Sequence, residues 1–187
     1  MPDGPLAPIL SRLAGGNVVV DYVLLTPDDP SMPVDAIHRD AAASGMAVLS
    51  GRERAVLEER RRHWNHWRGL DDTDMSYFEK SDVWRLTFDI AKARGVEESR
   101  QAFLKNYWYA FSDAPQGPQI SEPELSRIFQ QVNQLLFGDL EGWSIWRWST
   151  DWSNYFDAGL EWWGAFLWTL VSPDRRRVVW LGASTTD

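Results

Sequence analysis

Between Glu122 and Phe137 the apolar residues fall at Leu125, Ile128, Phe129, Val132, Leu135 and Leu136. Their three- and four-residue intervals put one stripe along a helix. Ser121-Glu-Pro-Glu124 supplies the start, with a serine–glutamate capping pair and an early proline, and Gly138 closes the helix. After Gly142 the period changes to two. Trp143–Ser149 reads as a strand, and Ala165–Ser172 and Arg177–Ser184 as two more, joined through the turn dipeptide Pro173-Asp174. The pattern predicts one helix packed on a three-stranded antiparallel sheet.

The first half alternates differently. A short helix fits around Leu6–Leu13, and the β-branched run Val18–Leu25 is a buried strand. Thr26–Pro33, with three prolines, is a loop. Val34–Ser44 is alanine-rich and helical, Gly45 is placed to cap it, and Met46–Leu49 reads as a second short strand. That β-loop-α-β order resembles half of a ferredoxin-like sandwich. Ser50-Gly-Arg-Glu53 fits a capping box opening a further helix through about Arg68, followed by an acidic loop at Leu70–Asp74. Tyr77–Phe111 reads as two helices broken near Gly95, although Trp84, Leu86, Phe88 and Ile90 alternate as a strand would. Ala114–Gln119 is the clearest linker. The expected fold is α+β, an antiparallel sheet of about four to five strands packed with several helices, with strands from both chain ends sharing it. One domain over 1–187 is expected, with two lobes, 1–113 and 120–187 joined by the Pro/Gly linker 114–119, left open.

Indole changes this picture. Eight of the twelve tryptophans follow Gly142. Trp146 and Trp148 share one face of their strand and Trp143 the other. Either the sheet is covered on both sides or one face is an exposed aromatic patch, which would be an interaction site.

The formal net charge of −8 argues against nucleic acid as the main partner, and suits a basic one. With no cysteine, disulfides, thiolate metal sites and a cysteine nucleophile are excluded. No basic leader or membrane-length apolar run is evident, so a cytoplasmic protein without membrane contact is expected.

Three constellations are candidates for chemistry. Asp151, Asp157 and Glu161 stand among indoles that would desolvate a carboxylate and raise its pKa toward the range of acid catalysis; turn and capping roles explain the same residues more simply. His63 and His66 with Glu59 fall on one helical face, but the histidines are one residue too close for the usual zinc-helix spacing, and a partly exposed pair is favoured. Arg52, Arg54, Arg60, Arg61, Arg62 and Arg68, interleaved with Trp64 and Trp67, would suit phosphate or bases; a solvated face paired with Glu53, Glu58 and Glu59 is favoured instead. His38 reads as a lone surface residue. No phosphate-binding glycine loop, dinucleotide fingerprint or nucleophile elbow is present, so no cofactor and no metal are expected, and an enzyme is disfavoured.

The cadence Asp151-Trp-Ser-x-Tyr-Phe156, Gly159-x-Glu-Trp-Trp-Gly164, Phe166-x-Trp-Thr169 and Gly182–Asp187 resembles the C-terminal end of small bacterial proteins, some of them similar to immunity proteins of polymorphic toxin systems. The resemblance is confined to residues 151–187. It implies a non-catalytic cytosolic protein that binds and blocks a toxin domain. A basic toxin would be steered by acidic charge and held by aromatic anchors. The expected partner-binding surface is therefore Asp151, Trp152, Tyr155, Asp157, Glu161, Trp162 and Trp163. The competing expectation is a small-molecule-binding domain or hydrolase with a Trp-lined pocket that uses Asp157 or Glu161 as acid/base.

Overall fold

The computed structural model describes residues 7–15, 18–80, 85–113, 115, 117–160 and 164–184. Helix α1 (Ala7–Gly15) leads into strand β1 (Val20–Leu25), and then into the long α2 (Val34–Arg68) and short α3 (Ser76–Lys80). Next come β2 (Gly95–Glu97), α4 (Arg100–Ser112), α5 (Glu122–Leu136), β3 (Ser144–Trp148), α6 (Asp157–Leu160), β4 (Ala165–Val171) and β5 (Val178–Ser184). The strands form one open antiparallel sheet in the order β1-β5-β4-β3-β2. The fold is α+β, as expected. The first strand does join the last, with Val20 opposite Ala183 and Leu25 opposite Val178.

Both faces of the sheet are covered, which settles the question that Trp143, Trp146 and Trp148 raised. One face packs Val20, Tyr22, Ile145, Phe166, Trp168, Leu170, Val179 and Leu181 against Phe103, Tyr107 and Phe111 of α4 and Leu125, Ile128, Val132 and Leu136 of α5. Trp143 lies against this cluster. The other face packs Val23, Trp148, Leu167 and Trp180 against Ala42, Met46 and Leu49 of α2, with Trp152 and Phe156 filling the end. Strands buried on two faces carry near-continuous apolar runs, hence Ala165–Val171 and Val178–Ala183. Trp168 and Trp180 are fully buried from opposite sides. The Trp168 indole N–H donates to Glu98 Oε2 at 2.6 Å, and the Trp148 indole N–H to Thr169 Oγ1 at 2.9 Å.

The first half departs from the pattern in three places. The break expected at Gly45, the strand at Met46–Leu49 and the capping box at Ser50 are all interior turns of α2, so no ferredoxin-like half exists. Ile37, Ala41, Ala42, Gly45, Met46 and Leu49 are buried at helical intervals, while Ala47 and Val48 face outward. Gly45 is where the helix presses on the sheet: a Cβ there would lie 2.1 Å from Trp180 Cδ1. The helix ends at Gly69, in the left-handed conformation at φ 67°. In the second departure, no helix spans Arg85–Asp89. Phe88 makes a single antiparallel bridge to Ser153, and a 3₁₀ turn follows at Ile90–Lys92. Trp84 lies outside the described residues. In the third, Gly95 opens an edge strand rather than a helix break. A Cβ there would sit 2.6 Å from Trp146 Cε3, so glycine lets the strand lie against the indoles. At α5 Leu125, Ile128, Val132 and Leu136 are buried as expected, but Leu135 is exposed and the Ser121 side chain makes no capping bond. Glu124 is drawn instead to Arg12 of α1.

His38 is a correction of larger consequence. It is wholly buried under α2 rather than on the surface, with Nδ1 2.7 Å from Thr169 Oγ1 and Nε2 2.9 Å from Ser144 Oγ. Its ring stacks on Trp146 at 5.0 Å between centroids.

On the opposite face the hydroxyls of Tyr22 and Tyr107 meet at 2.6 Å in the core. Tyr22→Phe leaves the Tyr107 hydroxyl buried without that partner and should cost about 1–2 kcal/mol, read from the urea midpoint at constant m.

Candidate functional site

Trp152, in the aromatic loop expected to meet a partner, is turned inward. Trp152 is 3% exposed; its indole N–H donates to the Ser149 carbonyl at 2.6 Å, and its ring meets Phe88 edge-on. Ser153 Oγ donates to the Thr87 carbonyl at 2.8 Å. Asn154 accepts the Thr87 N–H at 2.7 Å and donates to the Arg85 carbonyl at 2.7 Å. These polar positions stitch residues 149–156 to the irregular segment 85–89. Tyr155 points into the fold and donates its hydroxyl to Asp21 Oδ2 at 2.8 Å. Trp152 is therefore an interior side chain, and Tyr155 is half-buried at the border of a cleft rather than an exposed anchor.

Of the acidic residues, Asp151 is exposed. The Ser149 hydroxyl and the Arg94 guanidinium, which approaches to 2.6 Å, hold its carboxyl below the usual range. Asp157 is exposed at the start of α6. Glu161, Trp162 and Trp163 lie outside the described residues. Of the two alternatives for an acid/base group, Asp157 is exposed and Glu161 lies outside the described residues.

A different surface stands out. Helix α2 has 35 residues and is about 52 Å long, whereas the longest strands span about 23 Å. Its second half therefore overhangs the sheet. Beyond Leu49 its only buried side chains are Arg61 and Asn65, and both are structural. Arg61 donates to the carbonyls of Asp72 and Asp74 and, through Nε, to Glu58 at 2.9 Å. Asn65 Nδ2 donates to the carbonyls of Asp71 and Asp74, each at 2.9 Å. Together they fold the acidic loop back on the helix and seat α3 beside it.

That seat builds an aromatic corner. Trp64 packs on Tyr77 at 6.1 Å and on Trp67 at 6.2 Å between centroids. The Arg68 guanidinium lies 4.8 Å from the Trp64 ring and 5.9 Å from that of Trp67. Trp67 is 71% exposed, and among the nine tryptophans within the described residues no other is exposed. A cleft of about 750 Å³ opens here between Val56, Glu59, Arg60, His63, Trp64, Trp67 and Tyr77. The Trp64 indole N–H is buried at its wall without a hydrogen-bond acceptor. Residues 52–68 carry six arginines against three glutamates, a basic segment on an acidic chain. The arginine–tryptophan interleaving was visible in the sequence. What was not visible is that Trp64 is held by α3 while Trp67 is left in solvent.

His63 and His66 are exposed on this overhang. Among the described residues no group of three or more His, Asp or Glu is placed to hold a metal ion, and no helix is long and apolar enough to cross a membrane.

No family model matches the chain, and no curated protein matches it significantly. Among solved structures, the crystal structure of citrus MAF1 is similar at a TM-score of 0.41 and 16% identity, over 98% of this chain and 100% of that one.

Proposed function

We propose that this chain is a non-catalytic protein-binding protein whose recognition surface is the overhanging half of α2, and that its partner presents an acidic face. The exposed Trp67, braced by Arg68 and Trp64, is the observation that carries this reading. Interface hot spots concentrate in tryptophan, tyrosine and arginine, and a ring already fixed by its neighbours loses little entropy on binding. Arg60 in the cleft and Arg68 against the Trp64 and Trp67 rings provide the complementary charge and would raise the association rate at low salt. Inhibition of a toxin domain is the form of binding that the resemblance of residues 151–187 implies. Since Trp152 of the acidic loop is buried, the exposed basic segment of α2 is the surface proposed to meet such a domain, which suits an acidic patch on it. The acidic remainder of the chain disfavours nucleic acid on the same surface.

Trp67→Ala removes the anchor without touching the core, so the unfolding midpoint should move by no more than about 0.5 kcal/mol in stability terms. Affinity for the partner, measured by calorimetry, should fall by roughly thirtyfold or more, the effect of losing a hot spot of about 2 kcal/mol. Unchanged affinity would remove the surface from the account. Binding of an oligonucleotide with comparable affinity and steep salt dependence would replace the protein partner with nucleic acid.

A further inference from the structure

Asp21 is a polar interruption in an apolar strand face. Val23 and Leu25 share its side of β1, and both pack in the cluster beneath α2. The Tyr155 hydroxyl donates to Asp21 Oδ2 at 2.8 Å, and Arg52 of α2 crosses to donate to the Tyr22 carbonyl at 3.0 Å. Burial raises the Asp21 carboxyl above its ordinary value, while Tyr155 and the nearby Arg52 charge oppose that rise. Next to Arg52 in the helix, Glu53 accepts the Leu86 N–H at 3.1 Å through Oε2. Its other oxygen takes no hydrogen bond among the described residues. Partial burial pushes the Glu53 carboxyl upward as well.

These groups border a cleft of about 580 Å³ whose apolar walls are Leu49, Val56, Leu86 and Ala158. Small-molecule sites have this form, an apolar concavity of some hundreds of Å³ with a few convergent polar groups. The charges indicate what fits. The Arg52 charge opposes the rise at Asp21, and Glu53, on the border of the cleft, keeps one carboxylate oxygen with no hydrogen bond among the described residues. A cation is the occupant that answers that acceptor, and the four apolar side chains ask for a hydrocarbon body behind it.

We propose that the cleft between β1, α2, Leu86 and α6 is a binding site for a small protonated amine with an apolar body, the ammonium on Glu53 and the body against Leu49, Val56, Leu86 and Ala158. The Asp21–Tyr155 pair forms its polar floor. Val56 also borders the recognition surface of α2, but the site stands independently of the partner proposed there.

The test is calorimetric titration of the full chain with benzylamine and with benzyl alcohol, which share a ring and differ in charge. Benzylamine should saturate and bind about tenfold or more tightly than the alcohol, because only its ammonium makes a charge-assisted bond. Glu53→Gln keeps an acceptor for the Leu86 N–H while removing the charge, and should abolish that preference. Trp67→Ala should leave it unchanged, which separates this site from the surface on α2. Equal binding of the two probes, saturation by neither, or a preference that survives Glu53→Gln would each overturn the proposal.

Discussion

Replacing Gly45 by alanine should destabilise the protein by about 3 kcal/mol, although the same change in an exposed helix interior stabilises by about 1 kcal/mol. The sign is set by the sheet. A Cβ at this position would fall 2.1 Å from Cδ1 and 2.3 Å from Cγ of Trp180, so α2 or the indole must move. Neither moves cheaply. Trp180 is fully buried in the cluster beneath α2, and Tyr155 packs on it at 5.9 Å between centroids. Gly51 is the internal control. It lies further along the same helix, and a Cβ there would meet nothing within 4 Å, so Gly51→Ala should follow propensity and stabilise. Urea unfolding of the two variants reads both signs. Equal stabilisation by both would mean that α2 does not press on the sheet at Gly45.

Acid should weaken the fold through His38 by about 3 kcal/mol. Burial lowers its pKa from 6.5 to about 4, partly opposed by the charge of Asp35. The hydrogen bonds agree with a neutral ring. Thr169 Oγ1 accepts the Trp148 indole N–H, so every donor is satisfied when the Thr169 hydroxyl donates to Nδ1 and Nε2–H donates to Ser144. The folded pKa is depressed below the unfolded value, so this contribution is complete above pH 6.5. It is lost as pH falls from 6.5 toward about 4, where the unfolded chain takes up a proton that the folded one does not. A gap of about 2.5 pH units corresponds to about 3 kcal/mol. Urea midpoints of wild type and His38→Gln, compared at pH 7 and pH 4.5, isolate the term from carboxylates that titrate in both. The variant should show the smaller loss; an equal loss would place the acid sensitivity elsewhere.

What the sequence made legible were the elements whose own residues decide them. The stripe of α5 and the period-two runs of β3, β4 and β5 are fixed by which face each side chain needs. Elements decided by distant contacts were not legible. Gly45 punctuates a helix in isolation, yet it is the contact point with Trp180, more than a hundred residues away. The run at Met46–Leu49 has the length of a strand, and only the sheet beneath shows that Met46 and Leu49 are one helical face. His38 carries no local sign of burial, since its partners Ser144 and Thr169 belong to β3 and β4. The aromatic loop misleads for a related reason. Its Ser153 and Asn154 look solvated, but they hydrogen-bond the backbone of Arg85 and Thr87, and Trp152 beside them is buried. Nothing local separates Trp67 from Trp64, because only the position of α3 distinguishes the packed indole from the free one.

The central claim is that recognition belongs to the α2 overhang and not to the loop after β3. The most direct measurement is partner capture from host lysate by three tagged forms: wild type, Trp67→Ala/Arg68→Ala, and Asp151→Ala/Asp157→Ala, each first shown to unfold at the wild-type midpoint. The account predicts one stoichiometric acidic partner, retained by the loop variant and lost by the α2 variant. Loss by the loop variant with retention by the α2 variant would contradict it and return recognition to the acidic residues at 151 and 157.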